Sequence, residues 1–384
     1  MAEFQIIPTY LLGDAIADNL IQQLRLHKIK RVYIFEQNVD KNSSLLKDIK
    51  KDLDFFKLKF HEETINFEII DEDIFNHLLQ CLKIGLPEAL IVIGSETAIN
   101  VAKLINFLLN NRKINNLTDF IQNTNCDVKF PLKIFCILND FTTGSENNFP
   151  GILKVKYNNK ITQYAFNANS MPSVIYANVE LFKHLSKQDV NLNLFAILIR
   201  LIEQFCAKNL NEWIKNYIMG NVQTAIDLIE NNTLDDDTKL KNLIWTNLIA
   251  NSGINNILAY GDWWLHILAY EISDVLGIKL ATALLITYEK YLNVRIQNDQ
   301  WFAKVIADLD EQIYGSKDCD EFINHLNQMV ELLSLTELKT KNQTLLGDKK
   351  ICDQICENVA HKLVGNKQSE EQERMQAFLH EILS

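Results

Sequence analysis

Near residue 183 the sequence changes rhythm. Before it, RVYIF (Arg31 to Phe35), NFEII (Asn66 to Ile70), ALIVIG (Ala89 to Gly94) and KIFCIL (Lys133 to Leu138) are continuous apolar runs of the kind that parallel strands covered on both faces require. Between them SSLLKDIKKDLDFF, DIFNHLLQCLKIG and AINVAKLINFLLNN place apolar residues at three- and four-residue spacing, the period of an amphipathic helix. Strand and helix alternating in this way predict a doubly wound parallel sheet, which binds ligands beyond the carboxyl ends of its strands. After residue 183 the segments NLNLFAILIRLIEQFCAKNL, KLKNLIWTNLIANSG, WWLHILAYEISDVLG, LATALLITYEKYLN and CDEFINHLNQMVELLSL are long, proline-poor and helical in period. The expected organisation is an α/β nucleotide-binding domain over residues 1–183 followed by an all-α domain over residues 184–384.

Composition narrows the function classes. A net charge of -11 disfavours nucleic acid as a partner, because a phosphate backbone is held by clustered Lys and Arg. The basic cluster RLHKIKR, Arg25 to Arg31, reads as a solvated helix end. No N-terminal stretch has the pattern of an export signal and no apolar run reaches the ~18 residues of a membrane span, so a soluble, cytoplasmic protein without a membrane partner is expected. The seven cysteines are scattered, only Cys352 and Cys356 being close, at helical spacing. They predict reduced thiols rather than a disulfide frame or a zinc site, since paired Cys/His zinc spacings do not stand out.

Two loops carry the chemistry. IVIGSETAIN, Ile91 to Asn100, runs from a buried strand through Gly94 into a helix whose first turn is Glu96 to Asn100. Such a junction brings backbone N–H groups and the positive end of a helix dipole together, which suits a pyrophosphate. With one glycine it also reads as an ordinary connection capped by Ser95 or Thr97. A second loop, CILNDFTTGSENN (Cys136 to Asn148), follows the next buried strand and is rich in small hydrogen-bonding side chains. Together they are expected to clasp a nucleotide, with Gly94, Ser95, Glu96, Thr97, Asn100, Lys103, Thr142, Thr143 and Ser145 as candidate cofactor contacts. Glu36, just past the first buried strand, sits where an acidic side chain accepts ribose hydroxyls and repels a 2′-phosphate, which favours NAD over NADP.

GSETAINVAK (Gly94 to Lys103) resembles, without gaps, the GGGSxxDxAK loop of the iron-containing alcohol dehydrogenase family, which has a dehydroquinate-synthase-like fold; Ser95 and Glu96 replace glycines and Asn100 the aspartate. DFTTGSE (Asp140 to Glu146) resembles the family's TTxGTGSE-like loop, and PSVIYANVEL (Pro172 to Leu181) its P..aivDPEL hairpin. The opening FQIIPTYLLGDAIADNL and the closing GNKQSEEQERMQAFLHEIL resemble the family's two ends, so the resemblance spans the chain. It implies an NAD(P)-dependent oxidoreductase acting on a small alcohol, aldehyde or acidic carbonyl compound, and a homodimer.

The resemblance also implies a divalent metal held by an aspartate and three histidines. At those positions stand Ala196, Arg200, His266 and Leu280. Alanine and leucine have no donor atom and Arg200 carries a fixed positive charge, so no metal cofactor is expected. His184, His266, His325 and His361 show no ligand-like pairing with a carboxylate in the sequence, and His266 reads as a packed, satisfied histidine. The aromatic replacement Asp262, Trp263, Trp264 is read as partly filling the cleft or as core packing. In a metal-free enzyme Arg200 would stabilise the substrate oxyanion, Tyr270 would exchange the proton, and His266 completes the candidate catalytic set. The alternative is a catalytically inactive relative, serving as a nucleotide-binding, regulatory or scaffold protein. A dehydroquinate-synthase-like lyase fits poorly, because it too requires a metal.

Overall fold

The computed structural model describes residues 8–39, 43–231, 236–256, 263–364 and 369–383. Phe4 to Ile7, Asp262 and Gly365 to Gln368, which the sequence reading used, lie outside the described residues. The chain divides into two compact units. One runs through His184 and also includes Asn251–Gly253; the other comprises Leu185–Ala250 and the chain from Ile254 onward.

The first unit is an α/β layer structure. Its strands are β1 (Thr9–Leu12), β2 (Arg31–Glu36), β3 (Lys59–Thr64), β4 (Ile69–Ile70), β5 (Ala89–Gly94), β6 (Lys133–Leu138), β7 (Gly151–Tyr157), β8 (Lys160–Phe166) and β9 (Val174–Ala177). A six-stranded sheet in the order β1-β9-β6-β5-β2-β3 is parallel throughout. Its helices are α1 (Ile16–Leu26), α2 (Ser44–Phe55), α3 (Glu72–Ile84), α4 (Glu96–Asn110), α5 (Leu117–Gln122) and the short α6 (Val179–Phe182). Every residue of β5 is buried, as its unbroken apolar run requires of a central strand with helices on both faces. Leu20, Leu24, Leu46, Ile49 and Leu53 of α1 and α2 pack with Val32, Ile34, Ile91 and Ile137 into one core.

Two expectations are corrected. NFEII is not a strand of the main sheet: only Ile69–Ile70 is extended, and it pairs with β7 in a separate three-stranded sheet, β4-β7-β8. The strand in the expected place is β3, KFHEET, an edge strand whose polar residues hide it from a search for apolar runs. PSVIYANVEL is not a hairpin either. It forms β9, parallel to both β1 and β6, and turns directly into α6 with Asn178 as its cap.

The second unit is helical, with α7 (Lys187–Phe205), α8 (Glu212–Glu230), α9 (Asp236–Ala250), α10 (Trp264–Leu276), α11 (Leu280–Asn298), α12 (Gln300–Ile313), α13 (Cys319–Leu332), α14 (Thr336–Gln343), α15 (Lys349–Val364) and α16 (Ser369–Leu383). Gly277 in the left-handed region ends α10, and Asp299 and Asp318 cap α12 and α13 through their side chains. No helix among the described residues is long and apolar enough to cross a membrane.

Candidate functional site

The junction between β5 and α4 rests on close contacts at Gly94. A Cβ there would lie 2.9 Å from Cβ of Gln37 and 3.0 Å from Cβ of Ala98, so the side chain is absent because the end of β2 and the first turn of α4 occupy its space. Ser95 is the N-cap of α4, but its hydroxyl does not cap the helix; it donates to Oε1 of Gln37 at 3.0 Å. The same Gln37 oxygen accepts from the backbone N–H of Ala98 at 3.3 Å. Gln37 thus takes the electrostatic place of an anion at the positive end of α4. Asn139 donates to the backbone carbonyls of Gln37 (2.8 Å) and Asn38 (3.2 Å), fixing this segment against the end of β6.

Glu96, Asn100 and Lys103 fall at i, i+4 and i+7, one stripe of α4. That stripe faces the second loop. Thr143 and Ser145 donate to the Glu96 carboxylate at 2.5 and 3.2 Å. Asn100 donates to the Ser145 hydroxyl at 3.2 Å and accepts from the backbone N–H of Ile152 at 3.1 Å. Lys103 is fully buried, and its ammonium faces the carbonyls of Ser145 (2.7 Å), Asn148 (2.7 Å) and Pro150 (2.9 Å) and the Asn148 side chain (2.7 Å). Burial pushes the Lys103 pKa down to about 7, against the opposing pull of Glu146, Cys136 and Glu96. The loop turns at Gly144, whose φ of 109° is a backbone conformation that favours glycine, into a short 3₁₀ turn, Ser145–Asn147. Asn251 closes it from the far side, donating to the Thr142 carbonyl at 2.8 Å and to the fully buried Glu146 at 3.3 Å.

Seven of the candidate cofactor residues therefore meet in one place: Gly94, Ser95 and Glu96 at the junction, Asn100 and Lys103 along α4, and Thr143 and Ser145 on the facing loop. Thr97 is half-buried in the first turn of α4, and Thr142 is buried and engaged through its backbone. Glu36 ends β2 with only 1% of its surface exposed and lies 3.7 Å from Lys50 of α2. Gln37 and Asn251 complete the network from outside the two loops, and Asn139 and Asn148 from within the second. Gln37 could have been sought as the residue following a buried strand, where parallel sheets place ligand contacts.

In the helical unit, Glu203 and His266 face each other, both about 95% buried. The Glu203 carboxylate accepts from the backbone N–H groups of Leu265 (3.1 Å) and His266 (3.3 Å), capping α10 from another helix, and its other oxygen meets Nδ1 of His266 in a short contact. His266 thus has a carboxylate partner 63 residues away in the sequence, and Nδ1 of His325 lies 3.4 Å from Asp310. The Trp263 ring stands edge-on to His266 at 5.6 Å and carries the Arg200 guanidinium over it at 5.4 Å. Tyr270 is half-buried one helical turn beyond His266. Trp264 lies elsewhere, beneath Arg295 (4.1 Å) and edge-on to Phe378, at the wall of an open cavity of about 700 Å³.

This centre does not fit the family's metal. Ala196 and Leu280 offer no donor and Arg200 is a cation, which leaves His266 alone of the four positions. The α4 junction does fit a nucleotide pyrophosphate in its donors. The Ser95 hydroxyl and Ala98 N–H, now served by a Gln37 oxygen, are groups that a phosphate oxygen takes, provided Gln37 moves aside.

The sequence matches no family model and no curated protein. Solved structures match along its whole length. The NADH-dependent butanol dehydrogenase A of Thermotoga maritima superposes with a TM-score of 0.75 at 16% identity, over 99% of this chain and 98% of that one. The aldehyde reductase YqhD of E. coli gives 0.79 at 14% identity, over 100% and 98%. The sulfoacetaldehyde reductase of Bifidobacterium kashiwanohense, solved in complex with NAD+, gives 0.76 at 14%, over 100% and 99%. The fold of this chain is that of the iron-containing alcohol dehydrogenases.

Proposed function

We propose that a chain with this fold is a nicotinamide-dependent oxidoreductase for a small alcohol, aldehyde or acidic carbonyl compound, using no metal where the family would hold one. The observation that carries this reading is the buried Glu203–His266 pair with Arg200 beside it. Burying an acid and a base together costs several kcal/mol unless they satisfy each other, and such a pair is well suited to hold and release a proton.

When bound, a nicotinamide exchanges hydride with the carbinol carbon of the substrate. Ser95 and the first turn of α4 would hold its pyrophosphate. Arg200 supplies the fixed positive charge that a developing oxyanion, or the acidic group of a charged substrate, requires. His266 gives the proton in the reductive direction, while Glu203 holds Nδ1 and stabilises the imidazolium. Tyr270, on the same face of α10, is a second proton donor. Cytoplasmic location, small-molecule substrates, lack of nucleic-acid and membrane partners, homodimerisation and preference for NAD belong to the same reading.

The second reading, a non-catalytic relative that serves as a nucleotide-binding, regulatory or scaffold protein, is favoured by one specific observation. Gln37, Glu96 and Lys103 already spend their polar groups on the chain's own loops. Titration with NADH and NADPH, followed by aldehyde-reduction assays, separates the two. Binding of neither cofactor eliminates the oxidoreductase; binding with turnover eliminates the non-catalytic relative.

A further inference from the structure

A second constellation lies on the edge of the main sheet and takes no part in the site above. His61 and Glu63 are two residues apart on β3, so their side chains leave the strand on one face. His77 and Cys81 are four apart on α3 and share a helical face. The two pairs converge. Nε2 of His77 lies 2.8 Å from Glu63, Nε2 of His61 lies 3.8 Å from Glu63, and Sγ of Cys81 lies 3.4 Å from Glu63 and 3.9 Å from Nε2 of His77. The donor atoms of His61, Glu63 and Cys81 all lie within 4.8 Å of one another.

These separations bracket those between the ligands of a small cation. Ligands at the usual zinc distances, about 2.0 Å to nitrogen or oxygen and about 2.3 Å to sulfur, stand about 3.3–3.5 Å apart in a tetrahedron with one sulfur. Nε2 of His61 is buried with no hydrogen-bond partner, and its distance to Glu63 exceeds a hydrogen bond. A metal at the centre satisfies that atom.

The framework is already positioned. The buried Tyr33 hydroxyl lies 2.6 Å from the carbonyls of both Cys81 and Gly85, which fixes the last turn of α3 to β2, and the Tyr33 ring packs on that of His61 at 5.0 Å. Cys81 is 3% exposed, whereas the His77 side chain is 54% exposed and leaves the ion a route from solvent.

We propose that His61, Glu63, His77 and Cys81 form a binding site for one zinc ion. His61, Glu63 and Cys81 supply the close-set donors and His77 the fourth from beside Glu63, and mixed imidazole, thiolate and carboxylate donors select zinc over magnesium or calcium, which prefer oxygen ligands. Zinc takes a cysteine as thiolate, so binding releases the Cys81 proton to solvent. With all four protein ligands in place the site is closed, and its role is to pin the edge strand to α3. It is independent of the oxidoreductase reading. The sequence reading expects no zinc site because the ligands come as two short spacings on different elements, neither resembling a paired-cysteine motif.

The test uses the full chain, stripped with chelator, loaded with excess Zn²⁺ or Co²⁺, desalted and measured by elemental analysis and absorption. About one zinc per chain is expected, with a thiolate-to-cobalt charge-transfer band in the Co²⁺ form. His77→Ala, at a solvent-exposed position that tolerates the change, should lower zinc affinity by tenfold or more. Cys81→Ser should abolish the charge-transfer band, with circular dichroism checking its fold, and His184→Ala should retain full loading. Zinc below a tenth of an equivalent overturns the proposal. So does loading that survives His77→Ala unchanged, or that is lost instead in His266→Ala.

Discussion

Lys103 holds its ammonium among four oxygens of a single loop, out of contact with solvent. Lys103→Met leaves those acceptors facing a methyl group and should cost about 3 kcal/mol, read as a lowered denaturation midpoint. The same residue sets a pH dependence. The folded chain releases the Lys103 proton from about pH 7, whereas the unfolded chain keeps it up to the ordinary lysine range. The unfolded state therefore binds more protons in that window, and this group makes folding more favourable as pH rises through it. The thiols of Cys81 and Cys356, both pushed up to about 12 by burial, act oppositely above the ordinary thiol range, where only the unfolded chain loses their protons. Thermal stability should rise from pH 7 and fall at more alkaline pH, and Lys103→Met should remove the rise. For the oxidoreductase reading, His266→Ala and Arg200→Ala should each lower kcat/KM at least a hundredfold in steady-state assays while leaving NADH affinity unchanged. At this scale the sequence was partly legible. Glu96, Asn100 and Lys103 announce a shared helix face by spacing alone. Gln37 and Glu203 do not, since their roles depend on segments distant in sequence.

The β5–α4 junction was legible as an element: a continuous apolar run, a glycine, then helical spacing. Its internal occupation was not, because the amide oxygen of Gln37, just past β2, does the work of an anion. Gly94→Ala should destabilise the α/β unit by about 1–3 kcal/mol, measured by chemical denaturation, because the added methyl meets Gln37 and Ala98 at 3.0 Å or less. Gln37→Ala should tighten NADH binding several-fold in a fluorescence titration, because it frees the Ser95 and Ala98 donors without removing them. Unchanged affinity would mean that the cofactor does not use this helix end. β3 escaped the sequence reading for a general reason. Edge strands carry charge and half-exposed residues, so apolar continuity finds the middle of a sheet and misses its border.

For the molecule as a whole, pattern outlasted identity. Structural neighbours at 12–16% identity share the fold over essentially the full length, although the sequence matches no family model. What survives is the order of buried runs and helical periods, which the packing of a doubly wound sheet and a helical unit demands. The charge balance makes its own prediction: with a net charge of -11, the chain should fail to retard duplex DNA in a gel shift even at low salt.

Asn251 carries a consequence for how the molecule is made. The α/β unit is discontinuous, its last three residues, Asn251–Gly253, arriving after α7, α8 and α9. The described strands have left the ribosome well before then, yet the loop that holds Ser145 and Glu146 gains its hydrogen bonds from Asn251 only once residue 251 of 384 has been added. During synthesis the nascent chain spends that interval with the Thr142 carbonyl and the Glu146 carboxylate still waiting for Asn251. A fragment stopped at His184 would be held permanently at that stage.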